Sequence, residues 1–409
     1  MRRIIRYVGC GVTVLSLGGC WWPMPGAGPN RQANNAAEDQ ITVATVAGLE
    51  EVWTAAADSG AVGDPVTSVR GVHVNDATSV YGFATGSGDR LWAYQPSGIV
   101  SMEQPYVSGE EVWASALGGG QDGVGPAVVL DAATGAPLDT VVGDQALAAL
   151  SADYAVFWGR SITSTIDVLD RETSTWVCCG ELLFGAAGTR PRWPVTLGSD
   201  MFFDAGFGLT HTQIDNIGNG VRRYRIDPPL PCSWITIGMC PLWVTPLDGT
   251  DSVLPVLSDD QATVYVGTNA GTVYAVDTTT GAILWSAAVG SRVTDSPALA
   301  NGSLYVPTEA NGVVALAAGG CGTPSCSPLW TAPTASAVTQ QPAAAGGLVF
   351  AGTADGMVVA FDADGCPTAI CDPSWSASTG SEITGAPTVS NGQLYIGTAD
   401  GRLIAYGQP

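Results

Sequence analysis

Cysteine is the residue whose spacing carries the most chemistry in this chain. Ten occur among 409 residues. Cys321 and Cys326 precede Trp330, Cys366 and Cys371 precede Trp375 at the same offsets, and Cys232 and Cys240 precede Trp243. A close thiol pair can hold a soft metal or close a local disulfide. Metal binding fails here because the pairs lie far apart in sequence and the two histidines, His73 and His211, are not near them. Local disulfides are therefore expected, each stapling one loop and contributing about 2 kcal/mol on the chain-entropy argument. Cys178 and Cys179 remain for each other or stay reduced, and a bridge between neighbours would be strained at a Cα separation of ~3.8 Å.

Other chemistry-bearing patterns are sparse. Gly118 to Gly123 fits G-x-G-x-x-G, yet it lies between strand patterns and opens no helix, so a hairpin loop is expected. Asp362-Ala363-Asp364-Gly365 resembles the start of a calcium loop without the bidentate Glu that should follow, and reads as a turn. His73 and His211 sit among strand-like residues as ordinary, partly buried histidines. No catalytic residue and no metal site is assigned. Arg222, Arg223 and Arg225 form the single basic cluster beyond the N-terminus, either a solvated strand edge or a docking spot for an acidic peptide. With Trp193, in the least repetitive stretch, they are the candidate partner contacts, since insertions in repeat folds often carry recognition. All 15 basic residues are Arg, against 37 acidic ones, for a formal charge of −22. That balance excludes a nucleic-acid partner, which demands a basic footprint.

The elements that would hold these residues begin after an export signal. Arg2, Arg3 and Arg6 precede an apolar run from Tyr7 to Leu17, the length of a signal-peptide core and too short to span a bilayer. It ends in Leu17-Gly18-Gly19-Cys20, which resembles the bacterial lipobox. The resemblance implies cleavage after residue 19 and acylation of Cys20. Residues 20–46 are expected to be a lipidated Cys and a flexible tether of ~25 Å. The body would carry 12 Arg against 37 acids, so acyl chains rather than charge must hold it to a membrane.

From about residue 47 the chain repeats. Thr263 to Trp285 reads as two alternating strands around Asn269-Ala270-Gly271, a turn from Asp277 to Gly281, and a further strand ending in Trp285. The plan recurs around Asn311-Gly312, Asp355-Gly356 and Asp400-Gly401, dipeptides suited to type I′ hairpins. A further strand and turn precede each pair, so the unit is four antiparallel strands, a propeller blade. Trp285, Trp330 and Trp375 are 45 residues apart, and Trp243 lies 42 before Trp285. Trp53, Trp92, a non-aromatic slot at Leu138-Asp139 and Trp176 continue the series backwards. Eight anchors predict an all-β, eight-bladed propeller over residues 47–409, with seven blades as the alternative. Three strands follow Trp375, and the strand bearing Trp53 lacks three before it, so one blade should be closed by both termini.

Ala275-Val-Asp277-Thr-Thr-Thr280-Gly281-Ala-Ile-Leu-Trp285 resembles the A-x-D-x-x-T-G-x-x-x-W repeat of the pyrroloquinoline-quinone (PQQ)-like eight-bladed propellers, and Asp131-Ala-Ala-Thr134-Gly135 repeats its core. That family contains quinoprotein dehydrogenases and also non-catalytic lipoproteins, notably the propeller subunit of the outer-membrane protein assembly machine. The resemblance implies an exported, lipid-anchored, monomeric propeller that binds envelope proteins or peptides, with no cofactor. The alternatives are a PQQ- and calcium-dependent oxidoreductase, in which a vicinal disulfide can lie beside the cofactor, or a carbohydrate or cell-wall binder.

Overall fold

A computed structural model describes residues 26–28, 30–97, 99–118, 127–141, 145–150, 154–160, 164–170, 175–181, 195–197, 200–204, 219–225, 241–366 and 368–409. Cys20, Trp193, His211, Cys232 and Cys240 fall outside these residues, as do the side chains of Trp176, Cys178, Cys179 and Arg225. Among the described residues the strands form eight sheets, in keeping with the eight blades expected. We number the blades in chain order over residues 66–94, 99–141, 145–181, 195–246, 256–288, 298–332, 343–378 and 388–407. Blade 8 takes its fourth strand, Glu50–Ala56, from the other end of the chain, and Glu51 faces Tyr406 while Trp53 faces Ala405 in the antiparallel register.

Blade 5 shows why the sequence folds this way. Thr263–Gly267 and Thr272–Asp277 pair around Gly271, whose φ of +82° suits the left-handed region that only Gly enters without strain. Asp277 then caps the next turn, its Oδ1 accepting from Thr279 N, Thr280 N and Thr280 Oγ1 at 2.7–3.0 Å. Asp131 does the same with Ala133 and Thr134 in blade 2. The anchor Trp of blades 1, 4, 5 and 8 lies against the following blade. Trp285 Nε1 donates to Ala318 O, Trp92 Nε1 to Ala132 O, Trp243 Nε1 to Thr278 O and Trp53 Nε1 to Thr85 O. A Cβ on Gly281 would stand 2.8 Å from the Trp243 ring, so the Gly of this turn makes room for the anchor. Buried Tyr265 and Tyr305 tilt against Trp285 and Trp330 at 6.1 and 5.8 Å.

One register irregularity corrects the anchor series. In blades 1, 2, 4, 5 and 8 the residue just before the anchor is bulged out of the pairing: Leu91, Leu138, Leu242, Leu284 and Val52. In blade 3 the skipped residue is Val177, with Val168 facing Cys178 and Leu169 facing Trp176. Cys178 therefore occupies the backbone position that Trp holds elsewhere, and Trp176 takes the place of Ile283. The aromatic pattern misled because a bulge plus one pleat shifts a residue by two positions without changing the strand.

The two described disulfides close as expected, Cys321–Cys326 and Cys366–Cys371. Their loops also reach sideways. Ser325–Cys326 pairs in parallel with Ser286–Ala287 on the fourth strand of blade 5, and Thr331 of blade 6 pairs with Ile370. Each stapled loop thus covers the outer edge of the preceding blade, where unpaired backbone would invite another strand.

Candidate functional site

The first strands of neighbouring blades lie against one another in blades 1 and 2 and in blades 6, 7 and 8, so these strands line the axis. In blades 1, 2, 5, 6, 7 and 8 the first strand is preceded by proline: Pro65, Pro105, Pro255, Pro297, Pro342 and Pro387. A first strand has one edge without a partner, and Pro leaves no N–H unpaired there. The residues ahead of these prolines stitch the blades together. Ala386 N donates to Asp64 Oδ1 at 2.7 Å, Asp64 N to Gln104 Oε1 at 3.0 Å, and Gln341 Nε2 to Pro297 O at 3.0 Å.

The segment expected to be a flexible tether up to residue 46 is built into this site from Asn30 onward. Leu257 N donates to Asn30 O, Leu299 N to Gln32 O and Ala344 N to Ala33 O, at 3.0, 2.7 and 2.8 Å. Asn34–Asn35 adds as a parallel strand to Ala344–Ala345 of blade 7, and Asn35 Nδ2 donates to Val389 O in blade 8. The strap therefore crosses the axial strands of blades 5, 6, 7 and 8 in turn. Buried Glu38 then accepts from Gln40 N, Ile41 N and Gly392 N, which satisfies its charge. Ile41 and Val46 are buried, and Gln408 Nε2 donates to Thr45 O beside the C-terminus.

Arg31 is the one cation that the strap brings to the axis. It is 7 % exposed, adopts a φ of +56°, and its Nε has no hydrogen-bond partner. Its charge is felt by Asp64 and Tyr106, and Asp64 also feels Asp295, which heads blade 6. Burial raises the Asp64 pKa to about 6; Asp295 adds to the rise, while the Ala386 N–H and Arg31 oppose it. Tyr106, 2 % exposed, is pushed above the usual phenol range by burial. This is a polar cluster able to hold the strap and to change charge in mildly acidic solution.

The remaining candidates have structural surroundings. His73 contacts Ser68 Oγ at 2.8 Å, a pairing that resembles a nucleophile and its base. Both side chains are buried inside blade 1, the imidazole stacks on Trp92 at 5.5 Å, and burial lowers its pKa to about 3. Such a neutral, enclosed imidazole reaches no substrate. Arg222, expected as a partner contact, is 1 % exposed and donates to Gly220 O, while Arg223 donates to Thr278 O in blade 5. The strand alternation turns Arg222 inward, so the basic run presents no continuous surface patch. Asp362 accepts from Asp364 N as a turn should. No cluster of three metal-ligating side chains occurs among the described residues. Arg31, Asp64, Tyr106 and Asp295 had not been singled out by motif. The signal for Asp64, Tyr106 and Asp295, each within two residues of a proline, is the proline period: Pro255, Pro297, Pro342 and Pro387 repeat at 42, 45 and 45 residues, in step with the Trp anchors.

A ring of four-stranded sheets closed by its own termini is a β-propeller, and its D-x-x-T-G turns, seated on the preceding blade's Trp, resemble the PQQ-like repeat. The profile of the family described as outer membrane protein assembly factor BamB matches residues 241–365 and 324–408. No curated protein matches the chain. Among solved structures, the chain is similar to the quinohemoprotein alcohol dehydrogenase from Comamonas testosteroni, with a TM-score of 0.72 and 15 % identity over 95 % of this chain and 80 % of that one. A europium-containing methanol dehydrogenase gives 0.70 and 15 % over 95 % and 98 %. BamB from Moraxella catarrhalis gives 0.60 and 18 % over 88 % and 99 %. These likenesses cover enzymes and an assembly factor on one fold, and fold alone does not select between them. No helix among the described residues is long and apolar enough to cross a membrane.

Proposed function

We propose that this chain is an exported propeller, anchored through acylated Cys20, that serves as a non-catalytic, monomeric scaffold for envelope proteins or peptides. The observation that carries the reading is the strap: the axial strands of four blades already hold this chain's own backbone, so the axis is used for structure. The donor set agrees. A quinone with a calcium ion asks for several carboxylates converging on one cation, whereas Asp64 is occupied by the Ala386 N–H and feels Arg31. The described axial residues do not fit that group. The family profile, which covers the four most regular blades, supports the scaffold reading as well.

The test has two parts. Mass spectrometry of the mature chain should show a diacyl mass that disappears in Cys20→Ser. Incubation with PQQ and calcium should leave no bound quinone after gel filtration and no dye reduction with alcohols or sugars. Stoichiometric quinone with turnover would replace the scaffold by an oxidoreductase.

A further inference from the structure

The outer edge of each blade is the free side of its fourth strand, and such an edge invites a further strand unless charge, proline or a covering segment blunts it. Blade 1 carries Arg90 on this strand, blade 2 Asp139, blade 3 Glu181 and blade 8 Glu50, while Pro241 and Pro246 bound that of blade 4. Blades 5 and 6 have neither charge nor proline there, with Ile-Leu-Trp-Ser-Ala-Ala at 283–288 and Trp-Thr-Ala at 330–332. Theirs are the two edges that the stapled loops cover. Blade 7 repeats the uncharged pattern as Trp375-Ser376-Ala377-Ser378. Among the described residues no segment pairs with its outer side.

The covered edges show which groups such a strand would meet. Ser286 N donates to Pro324 O, and Thr331 N donates to Ala369 O while Thr331 O accepts from Cys371 N, each at 2.9 Å. Both residues directly follow the anchor Trp. Ser376 holds that place in blade 7 and faces Val359 as Thr331 faces Val314, so the same register turns its N–H and C=O outward. The aromatic wedge is less enclosed here as well. Trp285 and Trp330 are 4 % and 5 % exposed, with Gly320 and Gly365 of the next blade against their rings. Trp375, which donates to Leu49 O at 3.1 Å and meets Tyr406 edge-on, stays partly exposed. The surroundings are acidic. Asp372 and Glu382 stand exposed before and after the strand, Glu50 and Glu51 stand on the adjoining outer strand, and nearby Arg402 is paired with Asp400. A second copy, with the same acids and a formal charge of −22, would be repelled, whereas a basic segment would be drawn in.

We propose that the outer edge of blade 7 accepts an extended, basic segment of a partner protein as a fifth strand, parallel to Trp375–Ser378 as the chain's own loops are on blades 5 and 6. Its backbone bonds Ser376, and an apolar side chain packs on Trp375. This rests on the scaffold reading and gives that scaffold its docking edge. The test is a fluorescence-anisotropy titration of the full chain at low ionic strength with labelled Arg-Arg-Thr-Ala-Ile-Arg-Arg, which frames the Thr368–Ile370 sequence of the blade 6 cover with positive charge. Binding should be saturable and weakened about tenfold by Ser376→Pro, which removes one outward N–H at an edge position that tolerates proline. Ser376→Lys keeps the N–H, adds a repelling charge and should weaken binding about as much; if the proline variant does not fold, the lysine variant decides alone. Glu-Glu-Thr-Ala-Ile-Glu-Glu should not bind. Binding that is absent in the parent chain, or unchanged in the variants, overturns the edge assignment and leaves the scaffold reading to the quinone test. Equal binding of the acidic peptide overturns the charge assignment. A dimer in sedimentation that Ser376→Lys dissolves makes a second copy the occupant and overturns the partner, while quinone turnover overturns the scaffold and this partner together.

Discussion

The junction between blades 5 and 6 and the junction between blades 2 and 3 are built on the same backbone register with different side chains. At the first, Trp285 is 4 % exposed, donates to Ala318 O and lies against Gly320, and the Cys321–Cys326 loop adds a strand outside it. At the second, the anchor position holds Asp139, an exposed carboxylate, beside Leu138 at 56 % exposure. Backbone pairing and the bulge are thus enough to complete a blade, while the aromatic wedge and the staple are additions. The family profile matches only where those additions are regular.

The sharpest challenge to this comparison is truncation of both anchors. Trp285→Ala should cost about 3–5 kcal/mol in urea unfolding through cavity and hydrogen-bond loss, while Asp139→Ala should stay within ~0.5 kcal/mol. Equal costs would mean that the anchor position carries no special load. At the axis, Asp64 of blade 1 supplies the next contrast. Its folded pKa of about 6 lies above the ordinary 3.8, so the folded chain holds the extra proton between those values. Its contribution is complete below pH 4 and is lost as pH rises through 6, by up to about 3 kcal/mol. Stability measured from pH 4 to 7 should fall for the parent and flatten in Asp64→Asn; a parallel decline in both would remove Asp64 as the cause.

Replacing Cys321 and Cys326 together by Ser should lower stability by about 2 kcal/mol. It should also speed hydrogen exchange at Ser286 N, which donates to Pro324 O. An unchanged Ser286 rate would show that the loop covers the edge without its staple. The smallest effect belongs to what the two regions share. Thr280→Val and Thr134→Val each remove a 2.7 Å bond to the turn Asp and should cost about 1 kcal/mol apiece. A markedly larger loss in blade 2 would show that the aspartate-anchored region leans harder on its turns.

Much of the ring was legible because its rules are local. Asn-Gly and Asp-Gly turns, alternating strands and the Trp period fixed the blades, and the missing strands at each end required Trp53 and Tyr406 to share a sheet. The disulfides at 321–326 and 366–371 followed from spacing. The strap was illegible for the opposite reason. Its Asn-, Gln- and Ala-rich residues have no periodicity, since their hydrogen bonds run to four distant strands and its turns place Arg31 and Ala33 at positive φ. Arg222 looked available because charge patterns report composition and not the facing of a strand. Cys178 hid at the anchor position of blade 3 because no motif marks a bulge.

The shared sheet of blade 8 also imposes an order of events. Residues 50–56 are synthesised long before residues 402–407, with which they pair, the most sequence-distant partners a blade of this chain can have. Contacts of such separation form late and slowly. Until the last few residues arrive, Trp53 has no sheet to belong to, and a nascent molecule interrupted short of its C-terminus keeps an open flank. Quality control in the compartment where it folds therefore meets this protein as a complete ring or as an unfinished one with a sticky seam.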